Sequence, residues 1–138
     1  MSRAEQIGNY VAWLNARGDA MEALIAPALD QGADEFVSLA QSVCPDSELD
    51  EHPGQLRESI HKEDGSDPLK RKIVADASRP GKDGEPNYYG VHVEVGHKTP
   101  DGKHVPPHPF WWPSWRLTKR AAKSRIYQAV LQATKGGS

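Results

Sequence analysis

Apolar residues recur along the first forty positions at helical spacing. Ile7, Tyr10, Val11 and Leu14 fall at i, i+3, i+4 and i+7, one face of a helix over about 4–17 that Gly18 is placed to end. A second stripe, Met21, Leu24, Ile25, Ala28, Leu29, Gly32, Phe36, Leu39, Ala40 and Val43, continues it, interrupted by Pro27 and Gly32. This predicts a bend or break near Pro27 and a firm helix from Asp34 to Val43. The period then changes. Residues 55–63 alternate through Leu56, Glu58 and Ile60, and Lys70 to Ala77 is a second β-prone run beyond the turn Asp64-Gly65-Ser66-Asp67-Pro68, so the two are expected to pair antiparallel. Residues 78–87 read as a polar loop or hairpin tip. Tyr88 to Gly96 is the clearest strand, with Tyr89, Val91, Val93 and Val95 on one face and Gly90, His92 and Glu94 on the other.

Residues 97–105 read as a flexible excursion. It leads into Lys103-His-Val-Pro-Pro-His-Pro-Phe-Trp-Trp-Pro-Ser-Trp115, which holds three of the four tryptophans. Pro106, Pro107 and Pro109 make the backbone of 104–110 a stiff extended strap, and Pro113 suits the first turn of a helix reaching Ala133. That helix presents an apolar stripe (Trp115, Thr118, Ala122, Ile126, Ala129, Val130) and a basic one (Arg116, Lys119, Arg120, Lys123), with no acid after Asp101. The residues 134–138 form a tail expected to fray. The expected fold is α+β in a single domain over 1–138. It has a helical part over 1–43, a small mainly antiparallel sheet of three to four strands over 54–97, an arm and strap over 98–112, and a C-terminal helix over 113–133 packed on the sheet.

Charge and composition narrow the chemistry. Residues 1–69 carry fourteen acids against four bases, net −10, and residues 70–138 carry thirteen bases against five acids, net +8. Such halves suit head-to-tail contact between copies or one face turned to a polyanion. The single cysteine, Cys44, has no internal disulfide partner and reads as a small packing residue. The absence of a signal core or a transmembrane-length apolar run points to a soluble protein of a reducing cytoplasm, with no membrane partner. The acidic loop 46–54 lacks the glycine and terminal acid of a calcium loop. His97, His104 and His108 lie close in sequence, but Pro106 and Pro107 forbid the helix that would bring His104 and His108 together as ligands. No nucleophile elbow or phosphate loop is present, and Glu58 with Glu94 is weak ground for hydrolysis. The residues favour a non-enzyme with no metal or cofactor.

Cys44-Pro45, Gly54-Gln-Leu-Arg-Glu-Ser-Ile60, Tyr88-Tyr89, Val93-Glu-Val-Gly-His97 and Pro106-Pro-His-Pro-Phe-Trp-Trp-Pro-Ser114 occur in one order over residues 20–133. In order and spacing they resemble the small neck and tail-completion proteins of long-tailed bacteriophages, a family named after the tenth gene product of a lambda-like coliphage. Val95 stands where that family carries Phe, and His97 where it carries Thr. The resemblance implies a structural virion protein. Copies would form a ring, six-fold by preference, that completes the tail and joins it to the head connector. Tail tube or terminator protein and head-closure protein would be its partners, with genomic DNA passing through the channel. It would be made in the host cytoplasm and reside in the neck or tail of the virion. Partner contact is then expected at His97, Lys98, His104, Pro106, Pro107, His108, Trp111 and Trp112. Phe110 and Trp115, with Val93 and Val95, are expected to form the joint between sheet and helix. Arg116, Lys119, Arg120 and Lys123 would face DNA or an acidic neighbour. A nucleic-acid-binding module using those four cations is the alternative.

Overall fold

A cap begins the fold. In the computed structural model, which describes residues 2–45, 54–81, 83–99 and 101–135, the Ser2 hydroxyl accepts from the Glu5 amide at 3.1 Å while the Ser2 amide donates to the Glu5 carboxylate at 2.7 Å. From this capping box, helix α1 (Arg3–Val43) runs 41 residues without a break, about 60 Å at the helical rise. Neither Gly18 nor Pro27 ends it, contrary to the break expected there. Pro27 and Ala23, four residues before it, both lie on the exposed face, so the carbonyl left without a donor is open to water. The long helix α4 (Trp111–Lys135) then splints α1 on both sides of the proline.

The two helices are antiparallel and meet through small residues. Gly32 lies against Ala122, where an added Cβ would come within 3.0 Å of the Ala122 Cβ. Ala33, Ala129 and Ala133 are buried, and Arg125 donates to Glu35 at 2.6 Å. α4 therefore packs chiefly on α1 rather than on a sheet. Among the described residues no helix is long and apolar enough to cross a membrane.

Between the helices lie a short helix α2 (Gln55–Ser59), strands β1 (Ile60–Asp64), β2 (Arg71–Ala75), β3 (Ser78–Pro80) and β4 (Pro86–Tyr88), a short helix α3 (Gly90–Val95), and strands β5 (His97–Lys98) and β6 (His104–Val105). The class is α+β, as expected, but the strands form three antiparallel two-stranded ribbons, β1–β2, β3–β4 and β5–β6, rather than one sheet. The expected pairing of the 60s with the 70s is present, with Ile60 opposite Ala75 and Asp64 opposite Arg71.

Residues 55–59 are helical where alternation predicted a strand. Leu56 and Ile60 are i and i+4, both buried, and Arg57 between them caps the end of α1, donating to the carbonyls of Gln41 and Cys44 at 2.9 Å each. Phe36, Ala40, Cys44, Leu56, Ile60, Ala77 and Phe110 form the core at this end, with Val37, Ile73, Tyr89, Val93 and Trp111 around them. The Cys44 thiol is thus a packing group. The acidic loop expected at 46–54 lies outside the described residues up to Gly54, as do positions 136–138 of the expected tail.

Part of the charge asymmetry is consumed within the chain. Asp30 takes Arg71 at 2.6 Å and Lys62 at 3.2 Å, and Lys62 also reaches Asp34 at 3.1 Å. Hydrogen bonds from Arg71 first and Lys62 second hold the Asp30 carboxyl at about 2, below its usual 3.8. A depressed folded value means the contribution is complete above about pH 4 and is lost as pH falls towards the folded value. Thermal melts of Asp30→Asn should therefore show a lower midpoint at neutral pH and a shallower decline between pH 4 and 2, to be expected of about one ionisable group. An acid limb identical to wild type would mean that the pair contributes nothing to folding.

Candidate functional site

The joint between the small elements and α4 is built around one carboxylate. Glu94, 9% exposed, accepts from the amides of Phe110 at 2.7 Å, Trp111 at 2.9 Å and Trp112 at 3.0 Å. Those are the amides that the start of a helix leaves without partners, and the next residue, Pro113, has none to satisfy. A negative charge at this end also complements the helix dipole. The Ser114 hydroxyl donates back to the Phe110 carbonyl at 2.5 Å and closes the turn.

This placement explains why the Val-rich run is α3 and not the strand expected over 88–96. Helical geometry puts Gly90, Val93 and Glu94 inward together, and Val91, His92 and Val95 outward. A strand would have pointed Glu94 away from Val93 but on the face of His92. The expected core joint is accordingly corrected. Phe110 is 2% exposed and Val93 half-buried, whereas Val95 is outside at 62% and Trp115 at 41%. Trp111 takes an inner place, its ring T-shaped to Phe36 with centroids 4.9 Å apart, while Trp112 projects outward.

Gly96 follows α3 at φ +79°, and a Cβ there would meet the Val105 carbonyl oxygen at 2.8 Å and the Pro107 nitrogen at 2.9 Å. The chain then turns tightly. Thr99 donates from its amide to the Lys103 carbonyl at 2.8 Å, and His97 and Lys98 pair with Val105 and His104. The expected flexible excursion is thus a short hairpin. Pro106, Pro107 and His108 are exposed beyond it, and the His108 amide donates to the Val93 carbonyl at 2.8 Å.

Beside the joint, the β1–β2 ribbon, α3 and the start of α4 enclose a groove of about 680 Å³. Ile73, Ala75, Val91, Val95 and Trp112 give it a largely apolar lining, with Glu63, Lys72 and Asp76 among the polar members. Among the described residues no serine, cysteine or histidine lines it, and the Glu94 carboxylate is occupied by three amides. The groove's largely apolar walls are those of a binding surface.

Arg116, Lys119, Arg120 and Lys123 are all exposed on α4, on the side away from Gly32 and Glu35 of α1, and among the described residues they make no ion pair. His97, His104 and His108 are not gathered as ligands. The described residues that do approach ligand spacing are His61, Glu63 and Asp76 on one face of the first ribbon. There His61 Nδ1 lies 2.6 Å from the Ser59 carbonyl and Nε2 3.1 Å from Glu63. The carbonyl and then the carboxylate raise the imidazole above its usual 6.5, the behaviour of a cation paired with acids.

Sequence reasoning missed the roles of Glu94, Arg57 and Ser2. Ser2-Arg-Ala-Glu5 carries its own signature as a capping box, readable without a structure. Arg57 and Glu94 act on backbone groups 13 or more residues away, and no local pattern announces that. No protein-family model, curated protein or solved structure matches the chain.

Proposed function

We propose that the chain is a structural protein of a long-tailed phage particle, a ring component of the neck or tail top that completes the tail and joins it to the head connector around the DNA channel. Surface apolarity carries this reading. Large hydrophobic side chains are exposed in groups, at Ile7, Tyr10, Val11, Trp13 and Leu14 on one end of α1, and at Tyr88, Val91, Val95 and Trp112 around the groove. Isolated exposed hydrophobics are ordinary, but contiguous patches mark surfaces that a partner covers. The ordered family-like motifs over 20–133 supply the kind of assembly, with tail tube or terminator protein and head-closure protein as partners and six-fold symmetry preferred.

Trp112 tests the reading directly. At 55% exposed it contributes little to folding, so Trp112→Ala should cost under about 1 kcal/mol of stability while reducing the fraction of joined particles in an assembly reaction. Unjoined heads and tails in electron micrographs of particles made without the protein are the corresponding whole-particle result. Normal joining without it would refute the proposal. Deleting 98–104, the hairpin, should likewise impair joining.

A second reading has its own observation, the unpaired basic face of Arg116, Lys119, Arg120 and Lys123. As a duplex-binding surface it would give affinity falling with salt at a log–log slope of about −0.9 per phosphate neutralised, and the four alanine variants would flatten it. Absence of binding at low salt would leave assembly alone.

A further inference from the structure

Two apolar surfaces remain uncovered at opposite ends of the molecule. One is the convex stripe of Ile7, Tyr10, Val11, Trp13 and Leu14, each 46–60% exposed, on the part of α1 that overhangs α4. The end of α4 reaches only as far as Trp13 and Arg17, where Gln132 and Ala133 share a shallow cleft with them. The other is the concave groove, whose Tyr88, Val91, Val95 and Trp112 are 54–68% exposed.

One chain cannot bring these together. The groove lies at the Phe36 end of α1, since Trp111 lines it and packs on Phe36. The stripe is 22–29 residues away along an unbroken helix, about 33–44 Å at the helical rise. Residues 46–53, four of the eight acidic, and 136–138 lie outside the described residues.

We propose that the overhanging stripe of one copy docks in the α3 groove of the next, a head-to-tail contact that covers both surfaces at once. This rests on the ring reading in taking the partner to be a second copy. The areas match. With a large side chain offering roughly 150–250 Å² in full and about half of that exposed, each surface presents on the order of 500 Å², so one contact buries roughly 1,000 Å², the lower bound of a specific interface. An apolar helix laid in an apolar groove is a recurring mode of recognition. Few charges stand by the stripe: Arg3 and Glu5 precede it, and the Arg17 guanidinium lies over the Trp13 ring, 4.2 Å from its centroid. Pairing of two stripes about a two-fold axis would leave both grooves open. A head-to-tail contact repeats, and it closes into a ring when its rotation divides the circle.

Complementary variants provide the test, with mass read by light scattering and folding by thermal melts. Tyr10→Glu with Leu14→Glu disables the stripe, and Val91→Glu with Val95→Glu disables the groove; all four side chains are about half exposed or more, so melting should change little. Each variant alone should be monomeric, its association weakened at least about a hundred-fold. Mixed, the two should form a one-to-one dimer, because one intact stripe meets one intact groove. Independently, Leu14→Cys and Val91→Cys placed in one chain should cross-link copies into ladders on oxidation, and neither single cysteine should do so. A groove variant that still dimerises, or a mixture that stays monomeric, overturns the docking. A wild type that oligomerises unchanged by both pairs overturns the docking and spares the ring. A wild type that remains monomeric at the highest reachable concentration removes both.

Discussion

Glu94→Ala should cost about 3 kcal/mol of folding stability and lower the melting temperature by roughly 10 °C. Three amides lose their acceptor together, at Phe110, Trp111 and Trp112, and the first of these residues is 2% exposed, so water is a poor substitute there. Helix caps on an open surface are worth about 1 kcal/mol, and the excess comes from burial and from the third bond. Glu94→Gln should lose less, because its amide oxygen still accepts while its NH₂ confronts a donor. Glu58→Ala is the control: an exposed acid in α2 whose loss should stay within about 0.5 kcal/mol. Equal effects at 58 and 94 would mean the Glu94 carboxylate is not holding α4 in place. Amide exchange adds a local readout, with protection lost first over residues 110–112.

Phe36→Ala should be the more damaging change, at about 3–5 kcal/mol, seen as a lower urea midpoint at unchanged slope. Phe36 is 4% exposed and its ring meets Trp111 edge-on at 4.9 Å and Trp115 at 6.5 Å. It is where α1, the core and the start of α4 converge. Aromatic contacts of this geometry add about 0.5–1.5 kcal/mol each to the burial itself. Phe36→Leu keeps most of the volume and should recover a large share. Trp112→Ala, one residue beyond Trp111 but outward, gives the opposite profile of little folding loss and impaired assembly. If Phe36→Ala were nearly silent, the core would have to lie elsewhere than at this junction.

What the amino-acid pattern discloses follows the range of the interactions involved. The stripes through Ile7–Leu14 and Met21–Val43 are local and read correctly as helix; the expected break at Pro27 failed because α4, a hundred residues away, bridges it. The β1–β2 pairing was legible from two β-prone runs and a turn. The Val91, Val93, Val95 alternation misled, since Glu94 has to face an unsatisfied helix start and only a helical turn buries it beside Gly90 and Val93. Likewise Leu56 and Ile60 fit a strand or a helix equally, and Arg57 decided it by reaching the end of α1. For the candidate site, Phe110 as a packing residue and Trp112 as an outward one could be reasoned from composition and the proline strap. The groove could not, because its walls come from three separate elements.

The unbroken course of α1 makes it a lever. Its short arm sits in the core at Phe36 and its long arm, some 33–44 Å away at the helical rise, carries the stripe. A tilt of about 5° imposed at the core displaces the stripe by roughly 3 Å over that arm. Small adjustments where α1 meets Trp111 are thereby magnified at the stripe, and the splint of α4 across Pro27 transmits them. In the ring proposed above, such reach would let copies meet bodies of unequal diameter.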